Sequence, residues 1–184
     1  MAAAPRRWAA ELLHFWFHKL KPRDWFGGGE AVDRQLQARF GRDLAMLSAC
    51  DAQAFLSDPL TARAAILLFD QVPRNIHRGT PEAFAYDPLA RQIAYGMLWR
   101  EWDLRFPPAA RQFIAMPLMH SETIADQRHS LAYFSMLGPR YGWPYARDHY
   151  RMIARFGRFP HRNPVLGRAS TPAEIRAVEA GHSW

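Results

Sequence analysis

Three stretches of the sequence concentrate the side chains that can do chemistry: residues 70–79, 119–127 and 155–168. They combine Arg and His with a few carboxylates and amides. A guanidinium group binds planar anions through paired hydrogen bonds, and imidazole is the usual general acid or base near neutral pH. Together the three stretches predict a pocket that binds a small anionic or polar ligand.

The predicted site draws on all three stretches and requires that they converge in the folded chain. The predicted ligand-binding positions are Asp70, Gln71, Arg74, Asn75, Arg78, His120, Glu122, Gln127, Arg158, His161, Arg162, Asn163 and Arg168. If the site is catalytic, with hydrolase-like chemistry, His120 or His161 is the acid or base, and Glu122 or Asp70 orients it. The sequence has no nucleophile motif and no phosphate-binding loop, so enzymatic activity stays an open alternative.

Two of the stretches also have purely structural interpretations. Asp70 ends a predicted helix, where its charge faces the negative end of the helix dipole. Arg74 and Arg78 would then form a clamp that holds the helix exit. His120 and Gln127 fall on one predicted helical stripe, where either the backbone satisfies them in the core or they line a pocket.

Further polar residues allow other interpretations. His149 lies on the apolar stripe of a later predicted helix and is expected to be a satisfied core histidine. Glu122, Asp126 and His129 have the spacing of one helix face, which suits a metal ion with oxygen and nitrogen ligands. A solvated face is the commoner use of such a pattern, so we predict no metal and no cofactor.

His161 carries the most specific expectation. Pro160 and Pro164 restrict the backbone on both sides, so the loop can aim this side chain at a small entropic cost. Arg158 and Arg162 disfavour a positive charge on the ring. We therefore expect a neutral imidazole at pH 7, which both donates and accepts hydrogen bonds.

The elements that must position these residues are predicted to be helices. Apolar residues recur at helical spacing in about eight segments, and no segment shows the sustained alternation of a strand. Predicted helix starts are Asp58-Pro59, Asp87-Pro88, Pro107-Pro108, Pro144 and the capping box Thr171-Pro172-Ala173-Glu174. Pro73 is predicted to end a helix, Pro117 to bend or end one, Gly157 to cap the end of the helix that begins at Pro144, and residues 24–29 to form a loop. The predicted fold is one all-α domain, residues 1–184, with the helices in antiparallel hairpins.

Composition excludes several classes of protein. Hydrophobic residues make up 49% and charged residues 22%, which excludes an intrinsically disordered chain. The longest apolar run, residues 64–69, is far shorter than the ~20 residues of a membrane helix. A single Cys50 excludes an internal disulfide and suits a reducing compartment. No cleavage-site pattern follows the N-terminal apolar stretch, so a cytoplasmic location is expected.

The positive charge is concentrated in one segment. Residues 140–168 contain seven Arg and one acid, Asp148, a local charge of +6 within a total of +7. Interleaved aromatic residues there could stack on the bases of a nucleic acid. The helical pattern assigns several of these aromatics to the core, so nucleic-acid binding is the least favoured function.

Sequence blocks in the three stretches resemble an uncharacterised bacterial family, domain of unknown function 924. The blocks are residues 66–79 (ILLFDQVPRNIHRG), 116–127 (MPLMHSETIADQ) and 156–172 (FGRFPHRNPVLGRASTP). The resemblance implies an all-α fold similar to a right-handed tetratricopeptide-like array without strict sequence repeats. It implies no activity. By analogy of fold, it adds the alternative of an interaction module for a peptide or protein partner.

Overall fold

The computed structural model describes residues 6–27 and 29–182, and within these ranges the chain is helical with no strand. The predicted all-α fold is confirmed. Contacts between Cα atoms divide the chain into two compact units. The first contains the described residues up to Arg78 together with Glu82–Phe106, and the second contains Gly79–Pro81 and the described residues from Pro107 onward. The predicted single domain and tetratricopeptide-like array stay predictions.

The first unit is built mainly from helices that pack out of sequence order. Its helices are α1 (Arg7–His14), continued by a π-helical turn (Phe15–Lys19), α2 (Pro22–Gly27), α3 (Glu30–Leu47), α4 (Pro59–Ile66), a second π-helical turn (Leu67–Gln71), α5 (Val72–Ile76) and α6 (Asp87–Trp99). Short 3₁₀ turns are Ala52–Phe55, Pro81–Phe84 and Trp102–Arg105. Helix α4 packs against α1 and α6, and α3 packs against α5. Every residue of α4 and its π-helical turn from Thr61 to Gln71 is buried, so this helix is the centre of the unit.

The second unit packs its helices in sequence order. Its elements are α7 (Pro108–Met119), α8 (Ile124–Leu137), α9 (Trp143–Phe156) and α10 (Pro172–Glu179), with 3₁₀ turns Pro139–Tyr141 and Pro160–Arg162. Helix α8 packs against both α7 and α9. Met152, Ile153, Phe159 and Ala177 form one apolar cluster, and each large side chain buried in this way stabilises the fold by roughly 1.5–3 kcal/mol.

Several predicted helix boundaries are confirmed by their hydrogen bonds. The Asp58 carboxylate accepts the backbone N–H groups of Leu60 and Thr61 at 3.0 and 2.9 Å, as an N-cap followed by Pro should. The capping box of Thr171 and Glu174 is complete. Gly157 ends α9 with φ +68°, a left-handed conformation that favours glycine.

Other local predictions are wrong. Pro73 does not end its helix, because the π-helical turn Leu67–Gln71 widens the helix before it and places Pro73 in the first turn of α5, where its missing N–H is tolerated. The predicted loop 24–29 overlaps α2, which begins at Pro22 and in which the Asp24 carboxylate accepts the Lys21 N–H at 2.8 Å; Gly28 lies outside the described residues. Asp87 starts α6 but does not cap it, because its carboxylate binds Arg74.

These corrections explain why the described residues form ten α-helical segments rather than about eight. Helix α2 replaces a predicted loop, and α5 is a continuation beyond Pro73. Pro117 lies inside α7, which ends two residues later at Met119. No helix in the described part of the chain is both long and apolar enough to span a membrane.

The Asp58 cap can be tested by substitution. We expect Asp58→Ala to lower the free energy of unfolding by about 1 kcal/mol, because two N–H groups at the start of α4 lose their acceptor. Asp58→Asn is the matched control, since Asn caps a helix as well as Asp does. Urea unfolding followed by circular dichroism measures both. Equal losses in the two variants would show that charge, rather than capping, is what Asp58 contributes.

Candidate functional site

Two histidines and an arginine lie around the ring of Phe159 in the second unit, and a third histidine lies beside one of them. The ring centroid of Phe159 lies 5.2 Å from that of His149 and 5.6 Å from that of His161. The guanidinium carbon of Arg162 lies 4.5 Å from the Phe159 centroid. The His120 and His149 centroids are 6.3 Å apart. We call these five residues the histidine cluster.

Three parts of the second unit supply the cluster. His120 is the C-terminal cap residue of α7, and His149 lies in α9. His161 and Arg162 belong to the 3₁₀ turn that follows Phe159. Pro160 fixes φ at the first position of this turn, so the two polar side chains leave the backbone at a defined place. The cluster is nearly enclosed, since His149 is 5% exposed and Arg162 is 7% exposed, whereas His161 is half-buried.

Two of the histidines are held neutral. Burial, with smaller contributions from the neighbouring His120 and Arg162, lowers the pKa of His149 to about 3 against an opposing hydrogen bond to Tyr145. His149 Nδ1 lies 2.8 Å from the carbonyl oxygen of Tyr145, which can only accept, so Nδ1 carries the proton and Nε2 is left as an acceptor.

The expectation of a neutral His161 is confirmed, with a different leading cause. Burial first, and then the charge of Arg162, lower the pKa of His161 to about 4, while Glu122 opposes the shift. Arg158 was expected to act in the same direction, but its guanidinium binds Glu174 at 2.6 and 3.0 Å. A buried imidazole loses more hydration when it is charged than when it is neutral, so enclosure itself keeps the ring unprotonated.

The loop that carries the cluster is tied down by Glu122. Its two carboxylate oxygens accept hydrogen bonds from Arg168 at 2.7 and 3.0 Å, and Oε1 also accepts the backbone N–H of Phe159 at 2.8 Å. Although burial opposes ionisation, these hydrogen bonds hold the pKa of Glu122 below its usual range. Arg158, Glu174 and Thr171 make a second tie at the start of α10.

Gln127 and Asn163 make backbone-supporting contacts. The Gln127 side-chain amide donates to the carbonyl oxygens of Met119 and Ser121 at 2.6 and 2.7 Å, which satisfies the end of α7. This is the structural interpretation considered for Gln127. The Asn163 side-chain amide donates to the Ser170 hydroxyl at 3.0 Å. The backbone carbonyl of Asn163 accepts the backbone N–H of Arg168, so this residue holds the loop closed.

The prediction that His120 and Glu122 lie on the same helix as Gln127 and Asp126 is wrong. Helix α8 begins only at Ile124, because Ser121 and the residues after it form a turn in which the Ser121 hydroxyl donates to Asp126 at 2.6 Å. The proposed metal-ligand spacing therefore has no common helix face. Within the described ranges, no group of three or more His, Cys, Asp or Glu side chains is arranged to hold a metal ion.

The five predicted positions of the first stretch lie in the first unit and form a network of their own. Arg74 binds Asp87 at 2.8 and 2.9 Å and lies 3.4 Å from Asp70; despite burial, these carboxylates raise the pKa of Arg74 above its usual value. The clamp considered for Asp70 is therefore present through Arg74, whereas Arg78 binds Asp33.

The remaining members of this stretch extend the network. The Gln71 amide donates to the Asp70 carboxylate at 2.6 Å, and Asn75 donates to the Gln71 carbonyl at 2.9 Å. Arg78 binds Asp33 on α3 at 3.1 Å. The convergence of this stretch with the two stretches of the second unit stays a prediction.

Sequence reasoning missed two members of the histidine cluster. Phe159 was not among the predicted site residues, and His149 was expected to be a satisfied core residue. His149 is buried and hydrogen-bonded as expected, yet its ring is also 5.2 Å from that of Phe159. No signal in the sequence identifies this pairing, because it depends on how the turn after α9 folds back.

Comparisons with known families and solved structures show which family the chain belongs to. A family described as bacterial protein of unknown function, DUF924, matches residues 12–182. A solved structure of a protein of unknown function from Agrobacterium tumefaciens is 36% identical, with a TM-score of 0.88 over 94% of this chain and 97% of that chain. No curated protein matches.

The fold and the comparisons therefore define the class of this protein: an all-α bacterial protein whose function is not established. The chain belongs to the DUF924 family.

The low histidine pKa values predict acid-sensitive stability. In the unfolded chain an imidazole takes up its proton below its ordinary pKa of 6.5, whereas folded His149 and His161 stay neutral to about pH 3 and 4. The unfolded state therefore binds more protons in this window, and stability falls as the pH falls from about 6.5 to 4. At pH 5 we expect a loss of roughly 1–2 kcal/mol per histidine, measured by urea unfolding.

His149→Gln isolates this effect, because Gln keeps a donor for the Tyr145 carbonyl and does not titrate. We expect a smaller loss of stability between pH 7 and pH 5 than in the parent protein. His129→Gln, at an exposed position on α8, is the matched control and should keep the parent's pH dependence. An unchanged pH dependence in His149→Gln would contradict the assignment.

The Glu122–Arg168 tie predicts a measurable coupling energy. Glu122→Gln keeps the size of the side chain but removes the charge, and we expect it to cost about 1–3 kcal/mol of stability. Arg168→Met should cost a similar amount. In a double-mutant cycle the two losses should not add, because both remove one interaction. Additive losses would show that the two side chains contribute independently.

Proposed function

We propose that this protein binds a small anionic or polar ligand at the histidine cluster of its second unit. The observation that carries the proposal is that His149, His161 and the buried cation Arg162 lie around the ring of Phe159, with a third imidazole, that of His120, beside His149. Separate parts of the unit contribute these side chains. A fold that needed only an apolar core here would gain stability from apolar side chains, because every buried polar group must recover its lost hydration.

The chemistry of the cluster suits recognition of an anion with donor and acceptor groups. Arg162 supplies a permanent positive charge with N–H groups in a fixed plane. Neutral His161 supplies one donor and one acceptor nitrogen. His161 is half-buried, whereas Arg162 is buried. An incoming ligand would therefore meet the side chain of His161 before that of Arg162.

Glu122 and Arg168 support the site rather than bind the ligand. They already share two hydrogen bonds, and Glu122 also holds the backbone of Phe159. Arg158 is likewise committed to Glu174. The ligand-binding role predicted for Asp70, Arg74 and their neighbours stays a secondary proposal, because those side chains already form their own network.

A hydrolase-like enzyme is the second candidate for the same residues. It requires His120 or His161 to exchange protons near neutral pH, where an effective acid or base has a pKa close to the working pH. With a pKa of about 4, His161 is a weak base at pH 7, so the geometry favours binding over acid–base catalysis. A tetratricopeptide-like peptide-binding module has only the analogy of fold in its support. We place the protein in the cytoplasm, which suits its free Cys50.

The proposal is tested by ligand-induced stabilisation. Thermal unfolding of the purified protein is measured with inorganic phosphate, citrate, adenosine monophosphate and neutral sugars as probes. A probe present at a hundred times its dissociation constant should add about 2.7 kcal/mol of stability. We expect His161→Ala to remove the response while lowering the melting temperature by only a few degrees.

His129→Ala is the matched control, because this histidine is exposed on α8; it should respond as the parent does. A His161→Ala protein that binds the probe normally would overturn the site. A protein that does not fold would show His161 to be structural. Turnover of an ester or phosphoester probe that is lost in His161→Ala would favour the enzyme instead.

A further inference from the structure

Arg63 occupies an unusual position in the first unit. It lies on α4, the central helix of that unit, and only 6% of the residue is exposed. Its Nε–H is fully buried and has no hydrogen-bond acceptor. Among the residues that the structure describes, no carboxylate forms an ion pair with its guanidinium group, in contrast to Arg74 and Arg78 of the same unit.

Such an arginine is costly for the fold. Burial lowers the pKa of Arg63 to about 10, so the side chain is still charged at neutral pH. A buried charge without a counter-charge destabilises a protein strongly, and a buried donor without an acceptor adds to that cost. A side chain held under these conditions needs either an internal compensation or an external partner.

Aromatic rings supply part of the compensation. The Arg63 guanidinium carbon lies 3.9 Å from the Phe17 ring centroid and 4.7 Å from that of Phe106. Contact with a ring face stabilises a desolvated cation. The ring of Trp25 packs edge-on against Phe17 at 6.0 Å, which extends the apolar surroundings. Rings attract the charge but offer no oxygen atom to the guanidinium N–H groups.

The backbone around Arg63 is also irregular in a way that often accompanies function. Phe17 lies in the π-helical turn Phe15–Lys19, and the helix of Arg63 runs directly into the π-helical turn Leu67–Gln71. Such turns are rare and occur frequently at functional sites. One π-helical turn therefore supplies an aromatic neighbour of the guanidinium group, and the other begins four residues after Arg63 in the same continuous helix.

We infer that Arg63, with Phe17 and Phe106, forms a binding site for an oxyanion carried on a small apolar body. The guanidinium fork fits the two oxygens of a carboxylate or a phosphate ester. The aromatic rings fit the apolar part of the same molecule. None of these residues belongs to the histidine cluster, so the inference stands independently of the function proposed above.

The inference is tested by titrating benzoate, phenyl phosphate and acetate into the protein, with sodium chloride matching the ionic strength. The readouts are isothermal calorimetry and the ¹⁵N–¹H signal of the Arg63 Nε–H, assigned by its absence in Arg63→Lys. We expect saturable binding of benzoate or phenyl phosphate, with a shift of that signal, and at least tenfold weaker binding of acetate. Tighter benzoate binding indicates a carboxylate as the natural group, and tighter phenyl phosphate binding indicates a phosphate ester.

Arg63→Met should abolish this binding and unfold at a temperature equal to or above that of the parent, because an uncompensated charge is removed. Arg39→Met is the matched control: Arg39 also lies over a ring, 5.2 Å from the Phe15 centroid, but is exposed and paired with Glu11. It should leave binding unchanged. Failure of the parent protein to bind either aromatic probe overturns the inference, as does binding that survives in Arg63→Met. A clear fall in the stability of Arg63→Met, without binding by the parent, would show Arg63 to be structural.

Discussion

The second unit depends on one carboxylate in the turn between α7 and α8. Glu122 binds Arg168 with both oxygens and accepts the N–H of Phe159, so a single side chain holds both ends of the segment that carries His161. The pair is only partly exposed, at 24% for Arg168 and 28% for Glu122. Hydrogen bonds between charged groups are stronger in such surroundings than at an open surface. This tie joins the segment after α9 to the turn that follows α7.

Two groups of arginines in this protein have different physical roles. Arg74, Arg78, Arg158 and Arg168 each bind a carboxylate that is distant in the sequence, and they hold loops and helix ends in place. Arg162 lies among neutral histidines, and Arg63 lies among aromatic rings. The first group stabilises the fold through paired charges. In the second group the cation is kept in less polar surroundings, where its attraction for an added anion is greater than in water.

The histidine cluster gains its character from enclosure. Burial is the largest cause of the low pKa of both His149 and His161, and the neighbouring cation adds to it. An imidazole in this state is available for hydrogen bonding but is a poor proton acceptor at neutral pH. The same enclosure therefore favours recognition of a ligand and disfavours acid–base chemistry, which is why a binding function follows more directly from the geometry than a catalytic one.

The sequence by itself determined the local features. Helical spacing predicted the all-α fold, and the Asp58 cap, the Thr171–Glu174 box and the end of α9 at Gly157 were recognised because their hydrogen bonds join residues a few positions apart. Tertiary structure decided the rest. It carried the helix past Pro73 through a π-helical turn, assigned Glu122 to Arg168 across 46 positions of the sequence, and brought His149 to Phe159. The spacing of residues along a chain cannot specify such pairs, because each depends on how separate helices pack, and the burial that lowers the histidine pKa values exists only after they have packed.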